Sequence, residues 1–398
     1  MQKSDFLIIG AGIIGLSIAK TIQEKYPNAT INIIEKELEV GLHASGRNSG
    51  VLHAGFYYTS NSLKAKFTKE GNAMMKAFCD KYGLSINHNQ KVVIAQNKDE
   101  LETLYELEAR GKANGVDVSI IDEATLAKIE PNAKTYQKAL FSPTTATINP
   151  KEVVTKLAQV VVENGASLHL GYRYTSKIDN NTIETNLDIF QAKTIINTAG
   201  LYADKIAHDF EVGLEYTILP FKGIYLKYSK DDKPIKTNIY PVPNLKNPFL
   251  GVHYTVTVDN TIKIGPTAIP AFWRENYKGF EHFDIKEMAS ILKYEAKLFI
   301  QNSFGFRNLA FEEFAKYSKT HLANLAKDMV HSIDSTAFDS WSTPGIRAQL
   351  LHKNSLELVQ DFVVEQKDSS IHILNAVSPA FTCSFAFAAW VVDRYISK

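Results

Sequence analysis

The sequence predicts an α/β fold in two interleaved domains, and three observations predict it. First, a continuous apolar run at residues 6–9 ends in glycine and leads into residues 14–25, where Ile14, Ile18 and Ile22 share one helical stripe. A second β-type run follows at 30–35, so the unit has the roughly 30-residue size of a parallel βαβ crossover. Second, signals of this type recur near residue 200 and near the C-terminus, whereas 218–269 is β-rich with prolines at 220, 241, 243, 248 and 266. The β-rich block lies between pieces of the other kind, which is the pattern of interleaving. Third, 398 residues exceed one simple core.

The remaining elements follow in order. Pro27-Asn28 stops the first helix. Residues 41–55 are rich in glycine and serine, 62–82 read as helix, 92–96 as strand and 99–114 as a charged helix. Residues 151–164 form a helix after Pro150, with Val153, Val154, Leu157 and Val161 on its apolar side. Strands are expected at 167–170 and 194–197, the second ending in Thr198-Ala199-Gly200. Helices are expected at 283–300 and 309–328, a short strand at 371–375, and after Ser378-Pro379 a last helix at 381–396. No repeat or low-complexity tract interrupts this order. The resulting division places 1–85, 150–217 and 335–398 in one domain and 86–149 and 218–334 in the other.

Composition excludes some roles. The net charge is +1, so no global field draws nucleic acid or an anionic membrane. Cys79 and Cys383 are the only cysteines and make neither a disulfide framework nor a CxxC pair; each is expected as a small buried apolar residue. The N-terminus lacks a basic region followed by a cleavable apolar stretch, so no signal peptide is read and a cytoplasmic location is expected. The apolar stretches at 6–19 and 381–392 are too short to span a bilayer. Peripheral contact with the cytoplasmic membrane stays open.

Gly10-Ala-Gly12-Ile-Ile-Gly15 is GxGxxG. Alone it is weak; between a strand and a helix, with Glu35 closing the next strand about 20 residues on, it reads as a dinucleotide site. Gly10 permits the tight turn, Gly12 lets a pyrophosphate approach, and Gly15 lets helix and strand pack closely. The helix N-terminus offers N–H groups and a positive dipole end to phosphate. Glu35 suits ribose hydroxyls and repels a 2′-phosphate, which argues against NADP. Two further segments favour FAD over NAD. The small polar run 44–50 (ASGRNSG) can set N–H groups and hydroxyls against a ribityl-pyrophosphate or flavin. The run Asn197-Thr-Ala-Gly200 ends a strand in small residues, as if another backbone must come close.

With these residues stand GAGIIGLSIA at 10–19, Glu35-Lys36, SGRNSGVLHAGFYY at 45–58, NTAGLYAD at 197–204, IYPVP at 239–243, PFLGVH at 248–253, GPTA at 265–268, GIRAQ at 345–349 and NAVSPAFT at 375–382. In this order they resemble the L-2-hydroxyglutarate dehydrogenase/oxidase family of the D-amino-acid-oxidase-like FAD-dependent oxidoreductases, over nearly the whole chain. The resemblance implies a Rossmann-like FAD-binding domain interleaved with a mixed β-sheet α+β substrate domain. It implies oxidation of L-2-hydroxyglutarate to 2-oxoglutarate, with hydride accepted at flavin N5 and electrons passed to a membrane quinone, another acceptor or O2. It assigns the cofactor to Gly10, Gly12, Ile14, Gly15, Glu35, Lys36, Ser45, Arg47, Asn48, Ser49, Gly50, Val51, His53, Tyr174, Ala199, Gly200, Pro379, Ala380, Phe381 and Thr382. Two segments depart from the family pattern. The FRGEY-type segment reads Phe221-Lys222-Gly223-Ile224-Tyr225, where lysine keeps the charge without the bidentate fork, and the NAPSPAAT-type stretch carries Val377 and Phe381.

Oxidation of a 2-hydroxy acid needs a proton acceptor and a hold on carboxylate. A neutral histidine suits the first, and His253 and His53 are the candidates. In related flavoenzymes a histidine in a context like that of His53 is bonded covalently to the flavin; contact without a bond is the other role. Arg347 suits the substrate carboxylate through its planar fork, and Lys222 supplies a second cation. Tyr57, Tyr58 and Tyr240 either donate hydrogen bonds, wall a ring or pack in the core. Three rival readings make distinct predictions. An amine or amino-acid oxidase (glycine, sarcosine or D-amino acid type) needs one carboxylate anchor and an acceptor for the amine. A non-catalytic flavoprotein subunit carries flavin that no small substrate bleaches. An NAD module is colourless.

Overall fold

The computed structural model describes residues 1–243 and 251–396. The chain forms two compact units, Met1–Asn48 with Pro150–Pro220 and Ile346–Lys398, and Ser49–Asn149 with Phe221–Gly345.

The first unit is built on a sheet whose path runs Tyr174–Lys177, Thr182–Thr185, Ile189–Asn197, Gln2–Ile9, Ile31–Glu35, Ser167–Leu170. Gln2–Ile9 is parallel to both Ile189–Asn197 and Ile31–Glu35, and Ile31–Glu35 is parallel to Ser167–Leu170. Ser370–Asn375 pairs in parallel with the end of Ile189–Asn197. A parallel sheet covered on both faces needs apolar residues on both, and Leu7, Ile8, Ile195, Ile196, Ile371 and Ile373 are all buried. The helix Ile13–Lys25 packs on Pro150–Glu163 and on Ala380–Tyr395, with the expected stripe of Ile14, Ile18 and Ile22 buried. Helices that follow parallel strands begin at the strands' C-terminal ends. The helices Ile13–Lys25 and Ala380–Tyr395 therefore both open at the end of the sheet where ligands of α/β folds bind.

The second unit is built on a sheet ordered Phe338–Trp341, Leu226–Tyr228, Ile262–Gly265, His253–Val256, Asn238–Pro241, Lys91–Ile94, Lys138–Ser142, Ser119–Asp122. It is mixed: Asn238–Pro241 is parallel to Lys91–Ile94 and antiparallel to His253–Val256. Alternate residues serve two cores. Val92, Ile94, Ile239, Tyr254, Ile262 and Ile264 join Leu322 and Ala326 on one side. Val93, Leu140 and Tyr240 join Phe56, Tyr57, Leu104 and Leu107 on the other.

The units differ from the sequence-derived boundaries at 49–85 and 335–345, which pack with the second unit, and at 218–220, which pack with the first. The reason is strand pairing. Val51–Leu52 pairs with Ala146–Ile148, and Phe338–Trp341 pairs with Leu226–Tyr228. Within the second unit, Asn72 on the helix Leu63–Tyr82 donates from Nδ2 to the carbonyls of Leu52 and His53, each at 3.1 Å, and of Thr144 at 3.3 Å. Asn72→Ala strips these acceptors of a buried donor and is expected to cost about 1–3 kcal/mol, read as a fall of the thermal midpoint by several degrees in calorimetry.

The expected helix 309–328 is two helices, Phe306–Ala315 and Lys319–Lys327, because the Ser318 side chain accepts the His321 N–H and starts a new N-terminus. Strands at Ser119–Asp122, Lys138–Ser142, Tyr174–Lys177 and Thr182–Thr185 add to those expected. Pro248, Phe249 and Leu250 of the PFLGVH motif lie outside the described residues. No described helix is long and apolar enough to cross a membrane.

Candidate active site

In the first unit the glycine turn has the shape its sequence demands. Gly10 takes φ +104°, and a Cβ there would lie 2.8 Å from the Thr198 carbonyl oxygen. A Cβ at Gly15 would lie 2.1 Å from the Gly10 carbonyl oxygen and 2.6 Å from Thr198 Oγ1. Thr198 in turn donates from Oγ1 to the carbonyls of Ile9 and Gly10, both at 3.0 Å. The small residues at 197–200 therefore do admit another backbone: that of the Gly10 turn.

Gly12 is the N-cap of the helix Ile13–Lys25 and gives it no side-chain acceptor. The Ile13 N–H donates instead to Ser45 Oγ at 2.9 Å, so the hydroxyl of the 44–50 segment lies at the helix start. Glu35 serves the turn first. One carboxylate oxygen accepts the Ala11 N–H at 3.0 Å and the other the Glu37 N–H at 3.1 Å. Each oxygen keeps a further lone pair for a hydroxyl. Lys36 lies 5.7 Å from the Tyr202 ring centroid and also pairs with Glu37.

Asn48 laces its own loop, donating to the carbonyls of Ala44 and Ser45, and the Arg47 N–H donates to His43 O. Ala199 is half-buried, and Gly200 opens the turn Gly200–Tyr202 with φ +54° and open space where a Cβ would stand. Pro379 caps the helix Ala380–Tyr395, on which Ala380 and Thr382 are buried and Phe381 is half-buried. Tyr174 stands on the strand at one end of the sheet path, its hydroxyl donating to Asp209 Oδ2 at 2.9 Å. Arg347 is half-buried on the strand Gly345–His352.

In the second unit the structure brings His53, Tyr57, Tyr240 and His253 into one cluster. His253 and Tyr240 are cross-strand neighbours, since Ile239 pairs with Tyr254 and the strands run antiparallel. Their rings stack with centroids 3.7 Å apart and planes 20° from parallel. His253 Nδ1 lies 2.8 Å from the Gly251 carbonyl oxygen. A carbonyl only accepts, so the hydrogen is on Nδ1, and in the neutral ring Nε2 is the basic nitrogen.

His53 follows the strand Val51–Leu52 and is buried; Ser49 and Gly50 lead into that strand, with the Val51 N–H 3.4 Å from Ser49 Oγ and the Ile148 N–H donating to Gly50 O. Burial above all, then the electrostatic influence of Lys91, His253 and Lys64, holds the His53 imidazole well below its usual pKa. It is neutral at physiological pH. Burial likewise raises the Tyr57 and Tyr240 phenols above their usual range. Lys222 is buried, 3.4 Å from Asn276 Oδ1, and burial lowers its pKa.

Sequence reasoning missed Lys91. It heads the strand Lys91–Ile94 with no exposed surface, and burial lowers its pKa to about 7. A lysine one residue ahead of an apolar run reads as a strand end reaching solvent; only the aromatic residues far off in sequence that close over it say otherwise.

The comparisons agree with this geometry. A family model described as FAD dependent oxidoreductase matches residues 5–394. The chain is 33% identical to the mitochondrial L-2-hydroxyglutarate dehydrogenase of Caenorhabditis briggsae, over 100% of this chain and 94% of that protein. It is 31% identical to the L-2-hydroxyglutarate dehydrogenase of Escherichia coli strain K12, over 98% and 92%. Among solved structures it is similar to dithionite-reduced L-alpha-glycerophosphate oxidase of Mycoplasma pneumoniae with FAD bound (TM-score 0.76, 21% identity, 98% and 95% covered). It is also similar to glycine oxidase of Geobacillus kaustophilus (TM-score 0.70, 16% identity, 100% and 96% covered). At those identities the two structures speak for the fold alone. With the family model spanning nearly all of its length and relatives a third identical from end to end, the chain belongs to the FAD-dependent oxidoreductase family.

Proposed function

We propose that this protein oxidises L-2-hydroxyglutarate to 2-oxoglutarate. The observation that carries the reading is the His253 ring: its Nδ1 is committed to the Gly251 carbonyl, which leaves Nε2 as the proton-accepting nitrogen of the neutral tautomer, and the ring is stacked on Tyr240. Such a ring accepts the proton of a substrate hydroxyl. Two relatives matched over more than nine-tenths of their own length bear that substrate in their names.

The first unit fits a dinucleotide, because the Gly10 and Gly15 positions admit no Cβ and the Gly12 cap leaves the helix end to a ligand. Gly10, Gly12, Ser45 and the helix start hold the pyrophosphate, and Glu35 holds the ribose. Bound FAD supplies the acceptor of the C2 hydride and its electron pair. His253 takes the hydroxyl proton as C2 becomes a carbonyl carbon. Tyr240 fixes the plane of the imidazole. Arg347 and Lys222 are the two cations for the two carboxylates of the substrate, the first by a planar fork and the second as a point charge. His53 supplies a neutral ring for contact with the flavin. The electrons leave for a quinone, another acceptor or O2.

The test is an anaerobic visible spectrum of the purified protein before and after L-2-hydroxyglutarate, with the D-isomer, glycine and sarcosine as controls. Bleaching of the flavin band by the L-isomer alone is the expected result. A yellow protein bleached by an amine and not by the hydroxy acid overturns the substrate.

A further inference from the structure

The Lys91 ammonium is placed where a charge is costly. Its Nζ is fully covered and, among the described residues, has no hydrogen-bond partner and no ion pair. It rests instead on aromatic faces, 4.0 Å from the Tyr240 ring centroid, 5.4 Å from that of Tyr57 and 5.8 Å from that of Phe56. Rings offset part of the desolvation through their quadrupoles. A methionine of the same length would fill this space without any desolvation penalty.

Strand order says what the charge faces. Asn238–Pro241 lies between Lys91–Ile94 and His253–Val256, and Lys91 pairs with Asn238, two residues from Tyr240 on the same face. Lys91 and His253 therefore flank Tyr240, one from each neighbouring strand. A parallel imidazole at 3.7 Å fills one face of that ring, so the ammonium occupies the other. The groups around this ladder come from every element packed on it: His53 and Tyr57 from the segment after Val51–Leu52, Lys64 from the helix Leu63–Tyr82, and Tyr240 and His253 from the sheet. Each of the three side chains that bear electrostatically on His53 disfavours its protonation, and Lys91 has the largest influence of them.

We propose that Lys91 is a positioning residue of the proton-accepting site, its buried ammonium disfavouring a second positive charge on His53 and, across the Tyr240 ring, on His253. The proposal rests on the oxidoreductase reading above for its catalytic consequence, though not for its electrostatics. Direct contact with substrate is a different role, and the complete cover of Nζ speaks against it: neither water nor a carboxylate reaches the atom. Burial brings the Lys91 pKa to about 7, so below that pH, where an imidazole would take up a proton, Lys91 is itself charged. It acts in the pH range in which a base is lost.

The test uses FAD-loaded protein with ring-labelled histidines, as wild type, Lys91→Met and Lys91→Gln, the resonances assigned through His53→Gln and His253→Gln. Removing a like charge raises an imidazole pKa, so the acid limb of kcat/KM moves to higher pH. In the Lys91→Met protein the His53 titration and that limb are expected to move up together by about one pH unit. A fall of activity or thermal midpoint with both unmoved marks Lys91 as structural only and overturns the proposal. Lys91→Gln serves the same comparison where the methionine variant fails to fold. If L-2-hydroxyglutarate does not reduce the wild-type flavin, the substrate reading falls while the imidazole titrations still decide the role of Lys91.

Discussion

His253→Gln is expected to lower the rate of flavin reduction by L-2-hydroxyglutarate by about 10²- to 10⁴-fold, roughly 3 to 5 kcal/mol of barrier. Glutamine keeps a polar side chain of similar reach at the end of the strand His253–Val256, and it has no lone pair basic enough to hold a proton. The Gly251 carbonyl that now fixes the tautomer would hold the amide just as well, so the variant separates basicity from placement. Anaerobic stopped-flow at 450 nm reads the loss, and flavin content per chain controls for folding. A variant that keeps more than a tenth of the wild-type rate moves the proton-accepting role away from His253, and His53, neutral through burial, is the next ring to replace.

The second large effect is at Gly15. A Cβ at 2.1 Å from the Gly10 carbonyl oxygen meets backbone, which cannot rotate away, and a second conflict with Thr198 Oγ1 stands behind it. Gly15→Ala must push the helix Ile13–Lys25 off the strand Gln2–Ile9 and is expected to cost about 3 kcal/mol or more. The protein should be recovered without flavin or not recovered at all. Gly12→Ala is the informative contrast. Its Cβ meets only Ser45 Oγ, at 3.0 Å, a side chain that can turn aside. That variant should fold, with a midpoint near the apoprotein's, and fail to retain FAD because the methyl group occupies the approach of the pyrophosphate. Absorbance ratios at 450 and 280 nm together with calorimetry distinguish the two outcomes.

The two glycines also show why one part of the molecule was legible in its sequence. The nucleotide end is local: strand, turn, helix and acid fall within the first 35 residues, and each residue type answers a constraint set by its neighbours. Periodicity found Ile14, Ile18 and Ile22 for the same reason. The second unit depends on long-range pairing instead. Lys91 meets Tyr240 only because two strands about 150 positions apart lie side by side, and no window of sequence contains both. His253 was legible as a histidine within a motif, whereas its tautomer waited for the Gly251 carbonyl. The strand Ile189–Asn197 was foreseen only over its last four residues, around Ile195 and Ile196. Its first half alternates, Phe190 and Ala192 buried between half-buried or exposed neighbours, where it pairs with the antiparallel strand Thr182–Thr185. The segment 49–85 looked like a continuation of the nucleotide end, and the two-residue strand that binds it to Ala146–Ile148 is too short to leave a pattern.

The alternation of the two units along the chain bears on how the protein is made. Gln2–Ile9 is made well before its partner Ile189–Asn197, nearly two hundred residues on, and that strand's own neighbour Ser370–Asn375 is made later still. The first unit cannot be finished before its last segment is made, because its sheet takes in Ser370–Asn375. Until Ile189–Asn197 is made, one edge of Gln2–Ile9 waits for its mate while the other can pair with Ile31–Glu35, a state that invites chaperone binding. The helix Ala380–Tyr395, made long after the glycine turn, supplies packing that Ile13–Lys25 needs at the nucleotide end.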